Sequence, residues 1–377
     1  MTIFVKLCWQ VLSYICKYEK LDCIFGYLTT TWLGIKGDIL GSAVIFGGVG
    51  FIGTFFARHL IEEKGFYRVY LYDNEPIGNK VSEFRKKMVA SFPNIIIVEG
   101  DVRSAIDWMP NESIDLVANF AAVHREPGHE SYEYYECNLL GAENVCDWAE
   151  RIDCKTIVFS SSLAPYGPSE EVRDELSLPA PKTAYGGSKL AAEKIHQIWQ
   201  AKEEHRQLVI VRPGVVFGPG EGGNVSRLIK AVRNRYFFYT GNQKTRKAGV
   251  YVKELCHAMC WVLDSEKSKT DKVTLFNMTM NPGPSIEEYV ETIAKVIGIK
   301  ARVPKVPVSL LLVASYIIYL FARPLGIDHP FSPVRIKKLT RSNNILPTYL
   351  CDNGYKYRYT LEEALLDWKQ DYPDEWS

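Results

Sequence analysis

The chain has 377 residues, of which 47% are hydrophobic and 24% are charged, so it has the composition of a globular protein with room for two domains. Its 45 lysines and arginines balance 44 aspartates and glutamates, and the formal net charge of +1 gives no general basis for nucleic-acid binding. The nine scattered cysteines include no C-x-x-C pair, which favours reduced thiols in the cytoplasm and predicts no metal site.

The first segment of the chain, residues 1–40, is unusually rich in aromatic and aliphatic side chains. Apolar residues recur at helical spacing between residues 4 and 16, which predicts an amphipathic helix. A basic start and a small-residue cleavage site are missing, so an apolar extension is expected here rather than a signal peptide.

From residue 42 onward, short β-branched runs alternate with helical patterns, which predicts βαβ units and a parallel sheet. Strands are expected at residues 43–46, 69–72, 95–98, 116–119, 156–160 and 208–212. Helices are expected at residues 54–63, 142–151, 285–297 and about 361–369. The fold class is therefore α/β: a Rossmann-type doubly wound parallel sheet with a smaller C-terminal α/β substrate lobe.

The glycines and prolines of residues 213–223 predict where the chain leaves the sheet. We expect an NAD-binding Rossmann domain at 41–215, to which about 248–280 return, and a substrate-binding lobe made of 216–247 and 281–377. The lobe includes an uncharged apolar segment, 306–322. A buried helix and shallow membrane contact both suit this segment, whereas its length and Pro307 disfavour a membrane span.

A glycine motif, GGVGFIG, follows the first expected strand and opens a helix. Gly47, Gly50 and Gly53 allow a tight turn, a close approach of backbone N–H groups to a pyrophosphate, and tight packing of helix on strand. Asp73 ends the next strand, 20 residues after Gly53 (73 − 53), where a carboxylate accepts hydrogen bonds from the adenine ribose and disfavours a 2′-phosphate. Together they predict a dinucleotide site that prefers NAD.

A second set of residues carries acid–base chemistry. Tyr185 and Lys189 form a Y-x-x-x-K pair, whose spacing places both side chains on one face of a helix. A lysine ammonium beside a tyrosine favours the phenolate, which can serve as a general base in alcohol–ketone interconversion. The serines of residues 160–162 end an upstream strand, where a hydroxyl can hydrogen-bond the reacting oxygen.

Six motifs in order resemble the extended short-chain dehydrogenase/reductase family of NAD-dependent sugar epimerases and dehydratases. They are FGGVGFIG (46–53), GD (100–101), NFAA (119–122), FSSSLAPYG (159–167), YGGSK (185–189) and RPGVVFGPG (212–220). The resemblance implies that Ser162, Tyr185 and Lys189 are catalytic. It implies cofactor contacts from Gly47, Gly50, Phe51, Ile52, Gly53, Asp73, Asp101, Val102, Ala121, Ala122, Asn138, Tyr185, Lys189 and Pro213.

A narrower resemblance is to bacterial epimerases of surface-polysaccharide assembly, including those acting on polyprenyl-diphosphate-linked N-acetylglucosamine. It rests on AAVHREP (121–127), GNV (223–225), VYVKEL (250–255) and SPVRIKKL (332–339). It implies NAD-dependent inversion of C4 of an N-acetylhexosamine on UDP or a polyprenyl diphosphate, through a transient 4-keto sugar. The implied substrate contacts are His124, Ser162, Asn224 and Lys247. A cytoplasmic homodimer that can contact the inner face of the membrane is expected.

Other activities fit part of this pattern. An NAD(P)H-dependent reductase of a nucleotide-linked 4-keto sugar uses the same three residues, and the sequence does not separate it from an epimerase. A hydroxysteroid dehydrogenase also suits the apolar C-terminal segment. A dehydratase is disfavoured because Leu163 and Ala164 stand where that chemistry typically has an acidic pair. A non-enzymatic protein is disfavoured by the intact Ser162, Tyr185 and Lys189 set.

Overall fold

The computed structural model of the protein describes residues 41–75, 77–78, 81–125, 128–168, 171–300, 302–307, 309 and 344–377. They lie in a compact unit from Gly41 to Ser377. The helix expected at 4–16 and most of the apolar segment 306–322 lie outside the described residues. The division into a Rossmann domain and a substrate lobe stays a prediction.

The centre of this unit is a sheet of seven parallel strands in the order β3-β2-β1-β4-β5-β6-β10. These strands are β1 (Ser42–Phe46), β2 (Arg68–Asp73), β3 (Ile95–Glu99), β4 (Ile114–Asn119), β5 (Thr156–Ser160), β6 (Gln207–Pro213) and β10 (Val273–Met278). Outside the sheet, β7 (Val215–Phe217) pairs with β9 (Gly249–Tyr251), and β8 (Tyr239–Thr240) with β11 (Lys305–Val306). The predicted Rossmann-type sheet is confirmed, with one strand more than the six expected.

Helices flank the sheet. They are α1 (Phe51–Glu62), α2 (Glu83–Ala90), α3 (Ser131–Tyr135), α4 (Gly141–Arg151), α5 (Ala184–Ala201), α6 (Asn224–Arg233), α7 (Val252–Asp264), α8 (Glu266–Asp271), α9 (Ile286–Ile297), α10 (Thr348–Asp352) and α11 (Leu361–Asp371). A π-helical segment, Glu136–Leu140, joins α3 to α4. Among the described residues, no helix has the length and apolar character needed to span a bilayer.

The core lies on both faces of the sheet. Alternate residues of β1 point in opposite directions, so Ala43 and Ile45 join one buried cluster while Val44 and Phe46 join another. Residues of α1 and α7 complete the first cluster, and residues of α4 and α5 complete the second. This double coverage explains why β1 reads as an unbroken apolar run, and it leaves the carboxyl ends of the strands as the edge where a ligand can bind.

Candidate active site

The glycine loop turns sharply between β1 and α1. Gly47 has a φ of +72°, and a Cβ added there would lie 2.6 Å from the backbone nitrogen of Ala121. The loop therefore fits closely against the segment that leaves β4, and only glycine meets both conditions. The first turn of α1, with Phe51, Ile52 and Gly53, follows directly, so its unpaired N–H groups are available to a phosphate.

Asp73, at the end of β2, lies beside this loop. Its Oδ2 accepts a hydrogen bond from the Val49 backbone at 3.0 Å, and its Oδ1 accepts one from the Glu75 backbone at 3.2 Å. Burial raises the pKa of the Asp73 carboxyl. These contacts hold the carboxylate next to the loop, where it is placed to receive the ribose hydroxyls of a dinucleotide.

Asp101 and Val102 follow β3. The Arg103 side chain binds the Asp101 carboxylate, with 2.6 Å between Nη2 and Oδ2, and this contact lowers the pKa of Asp101. Val102 is buried, and its carbonyl accepts a 2.7 Å hydrogen bond from the Asn144 side chain. Both residues thus have structural partners, and their expected contact with the cofactor stays a prediction.

Asn138 links the segment after β4, which contains Ala121 and Ala122, to helix α5. Its Oδ1 accepts from the Val123 backbone at 2.9 Å, and its Nδ2 donates to Ser188 Oγ at 2.9 Å. Asn138 lies in the π-helical segment and is buried. It therefore fixes α5 next to the strand edge at the residue that precedes Lys189.

Strand β5 positions Ser162, and α5 positions Tyr185 and Lys189. A Cβ on Gly186 would lie 2.7 Å from the Ala164 carbonyl oxygen, so this glycine allows α5 to approach the turn that follows Ser162. The Ser162 hydroxyl is half-buried and accepts a 3.1 Å hydrogen bond from the Ala164 backbone. The Tyr185 ring is also half-buried, with its centroid 6.0 Å from that of Tyr134.

Lys189 is the most deeply buried of the three, at 2% exposure. Its ammonium lies 4.4 Å from the centroid of the Phe159 ring, an arrangement that a cation favours. Burial lowers its pKa to about 8, although Glu193 and Cys137 act in the opposite direction. Lys189 thus carries a charge that is easily lost just above neutral pH.

Sequence analysis missed a buried network behind these residues. The Arg212 guanidinium binds both oxygens of Glu193, at 2.8 and 2.6 Å, and Ser161 Oγ donates to Glu193 at 2.5 Å. The three side chains are buried and join β6, α5 and the end of β5. Glu193 follows Lys189 by four residues on the same helical face, a spacing that could have indicated it.

Arg85 on α2 is a second residue that sequence analysis missed. Its Nη1 donates to the Val49 carbonyl of the glycine loop at 3.0 Å, whereas its Nε is buried and has no partner among the described residues. Burial lowers its pKa to about 10. Arg85 places a positive charge behind the loop, which favours an anionic pyrophosphate there.

The expected substrate contacts come from several elements. His124 is exposed and follows Val123, which Asn138 ties to α5. Asn224 is the exposed first residue of α6, and its Oδ1 accepts from Arg227 at 2.8 Å. Lys247 is half-buried, and its backbone donates to the Pro284 carbonyl at 2.9 Å.

Pro213, an expected cofactor contact, ends β6. Its carbonyl accepts a hydrogen bond from the Leu163 backbone at 3.3 Å, next to Ser162.

The model of the NAD dependent epimerase/dehydratase family matches residues 43–277, more than half of the chain. The chain therefore belongs to this family. Its glycine loop, Asp73 and the first turn of α1 fit the cofactor that the family name states. The predictions of the family and of NAD are confirmed, and the protein is an NAD-dependent enzyme of the epimerase class, as the sequence predicted.

Individual relatives agree with this assignment. The chain is 28% identical over 309 residues to the N-acetyl-alpha-D-glucosaminyl-diphospho-ditrans,octacis-undecaprenol 4-epimerase of Escherichia coli O157:H7. The aligned residues cover 81% of this chain and 92% of that protein. It is 27% identical to the UDP-glucose 4-epimerase of Halalkalibacterium halodurans, over 68% of this chain and 80% of the relative. Among solved structures, UDP-glucuronic acid 4-epimerase from Bacillus cereus in complex with NAD has the same fold, with a TM-score of 0.67, 16% identity and coverage of 89% of this chain and 100% of that chain.

Proposed function

We propose that the protein inverts C4 of an N-acetylhexosamine attached to a diphosphate carrier. Polyprenyl-diphosphate-linked N-acetylglucosamine is the leading substrate, and a UDP-linked hexosamine is the alternative. The observation that carries the proposal is that the half-buried Tyr185 and the buried Lys189 lie on α5, which closely approaches the turn after Ser162. The names of the two curated relatives, both 4-epimerases, support C4 as the reacting carbon and favour epimerisation over the 4-keto reductase alternative.

The residues divide the work as follows. Ser162 Oγ hydrogen-bonds the sugar O4, and the Tyr185 phenolate removes the O4 proton. The Lys189 ammonium stabilises the phenolate, and Asn138 holds α5 in place. The glycine loop, Asp73 and the first turn of α1 would hold NAD, which would supply reversible hydride transfer at C4, so that C4 would be inverted with no net oxidant consumed. Tyr185 then returns the proton to O4. His124, Asn224 and Lys247 are proposed to hold the sugar and its diphosphate.

We further propose a homodimer formed through α4 and α5, and peripheral contact with the cytoplasmic face of the membrane. Ile198 on α5 is 62% exposed, which supports an interface there. Leu176 and Leu178, at 90% and 85% exposure, offer apolar surface to a lipid carrier. A monomer in sedimentation velocity would contradict the first proposal, and complete solubility at low salt after cell fractionation would contradict the second.

The activity is tested by incubating the purified protein with UDP-N-acetylglucosamine and, separately, with its polyprenyl-diphosphate-linked counterpart, without added reductant. We expect conversion of at least one to the C4 epimer. Tyr185→Phe should lower kcat by about 10²- to 10⁴-fold and leave bound NAD in place, since only the general base is lost. Tyr132→Phe, on the exposed face of α3, is the matched control and should keep full activity.

Two outcomes would contradict the proposal. Turnover of 4-keto sugars only when NADH or NADPH is supplied would establish the reductase. Equal activity of Tyr185→Phe and the parent protein would remove Tyr185 from the mechanism.

A further inference from the structure

A second cluster of metal-ligating side chains lies at the end of α1 away from the glycine loop and in the middle of α7. His59 and Glu63 are one turn apart at the end of α1, and His257 faces them from α7. One nitrogen of each imidazole and one carboxylate oxygen of Glu63 all lie within 4.8 Å of one another. The three groups therefore form a set of metal-ligating atoms contributed by two helices.

His59 is the buried member of the set. It is 7% exposed, and its Nδ1 lies 3.2 Å from Glu63 Oε1. Its Nε2 is buried and has no hydrogen-bond partner among the described residues. Nδ1 is thus the nitrogen that faces Glu63, and because buried polar atoms are nearly always satisfied, the unpartnered Nε2 of the same ring indicates a missing partner.

The protonation states suit a cation. Burial lowers the pKa of His59 to about 4, and burial with the nearby Arg358 also lowers the pKa of His257. Both imidazoles are therefore neutral at pH 7, the form that binds metal. Burial acts to raise the pKa of the Glu63 carboxyl, but the hydrogen bond and charge of Arg358 hold that pKa below its ordinary value, so Glu63 is ionised.

The carboxylate of Glu63 can serve two partners at once. Its Oε2 accepts from Arg358 Nη1 at 2.5 Å, which leaves Oε1 directed at His59. An outer partner of this kind fixes the orientation of a ligating carboxylate. Asp264 also lines the cavity, where its carboxylate pairs with Lys64 at 2.5 Å.

A cavity of about 320 Å³ opens onto the cluster, lined by the three side chains together with Cys260, Asp264 and Arg358. This volume accommodates an ion with bound water. Ligand atoms around one zinc ion lie about 3.3–3.5 Å apart, since each bond is about 2.0–2.2 Å long. The ligand atoms of the three side chains already lie within 4.8 Å of one another, so small side-chain rotations would bring them to that separation.

We propose that His59, Glu63 and His257 bind a divalent transition metal, with zinc as the ion that two imidazoles and a carboxylate suit best. Water completes the coordination. The site has no part in the proposed epimerisation. It ties α1, which begins at the glycine loop, to α7, and so it stabilises the nucleotide-binding half of the protein.

The test uses untagged, chelator-treated full-length protein, titrated with Co²⁺ and with Zn²⁺. We expect one equivalent of Co²⁺ to give visible absorption bands that Zn²⁺ abolishes. Zn²⁺ at about 100-fold above its Kd should raise Tm by about 3 °C. His59→Gln and His257→Gln should each weaken binding at least about 10-fold, because each removes one of three protein ligands.

The matched control is His129→Gln. His129 also lies beside a glutamate four residues later, 3.5 Å from Glu133, but the described residues place no third ligand with this pair. This variant should bind the metal as the parent does. If His59→Gln does not fold, His257→Gln decides, since His257 is only half-buried. No cobalt bands and no shift in Tm, or equal loss of binding in His129→Gln, would overturn the proposal.

Discussion

Gly47 and Gly65 share a left-handed backbone, with φ of +72° and +71°, but differ in their surroundings. A Cβ on Gly47 would lie 2.6 Å from the Ala121 nitrogen, whereas nothing lies within 4 Å of a Cβ on Gly65. Substitution of either glycine would strain the backbone equally, but only substitution of Gly47 would also disturb the close contact of the dinucleotide loop with Ala121.

Gly47→Ala should lower the affinity for NAD at least about 10-fold, because the loop must move away from the strand edge where the phosphates bind. Gly65→Ala should cost only about 1–2 kcal/mol of unfolding free energy from the same backbone conformation, and should bind NAD normally. Calorimetric titration with NAD and urea unfolding measure the two effects. Equal NAD affinity in both variants would show that the fit against Ala121 does not matter for binding.

At this scale, sequence reasoning found the residues that a local motif marks. Asp73, Tyr185 and Lys189 each occur at a fixed spacing within one strand–helix unit. Arg85 and Arg212 were missed because their partners, Val49 and Glu193, are distant in the chain and meet only in the folded protein. The assignments of Asn224 and Lys247 as substrate contacts stay predictions. Both residues lie outside the sheet, where no strand–helix motif marks their positions.

Helix α5 contains Lys189, whose protonation state is expected to make the proposed activity sensitive to alkaline pH. It holds Lys189 in a buried position where its pKa is about 8, against an ordinary 10.5. The ammonium that we propose supports the Tyr185 phenolate is therefore present below about pH 8 and is lost as the pH rises through that value.

We expect kcat/KM for epimerisation to fall above about pH 8 in the parent enzyme. Lys189→Arg keeps its charge throughout this range, so its profile should lack that fall even though its rate is lower at every pH. Initial rates between pH 6 and 10 measure the difference. A fall at the same pH in both proteins would assign it to another group.

Among the elements, the six strands expected from β-branched runs are all present. Five of them are largely buried and carry a strong apolar signal, whereas the edge strand β3 is partly exposed and is marked by its three consecutive isoleucines. Strand β10 was not among them. Its Asn277 is buried by its partners, with Tyr166 Oη donating to its side chain at 2.9 Å and its backbone donating to Glu175 at 2.8 Å. Strands β8 and β11 are too short, at two residues each, to carry a pattern.

At the scale of the whole molecule, Glu254 on α7 binds residues about 100 positions later in the chain. Its Oε2 accepts from the backbones of Arg358 and Tyr359, both at 2.9 Å, and the Tyr355 hydroxyl donates to its Oε1. The carboxyl group is buried, and burial raises its pKa. A single side chain thus satisfies two backbone donors and one phenol.

Glu254→Ala should lower the free energy of unfolding by about 3 kcal/mol, because it leaves these buried donors without an acceptor. Glu204→Ala, an exposed glutamate between α5 and β6, is the control and should change it by less than about 0.5 kcal/mol. Urea unfolding measures both. A similar small effect in the two variants would mean that water replaces Glu254.

Glu375, like Glu254, uses one carboxylate to join segments that are distant in the chain. Its Oε2 accepts from Trp368 Nε1 at 2.7 Å and from the Gly220 backbone at 3.1 Å. Trp368 is fully buried in the cluster that α1 and α7 also form. During synthesis, a nascent chain that has already made its glycine loop still lacks this part of its core until Trp368 and Glu375 have been added. The apolar surface that Trp368 covers is exposed for that interval, and exposed apolar surface of this kind favours aggregation.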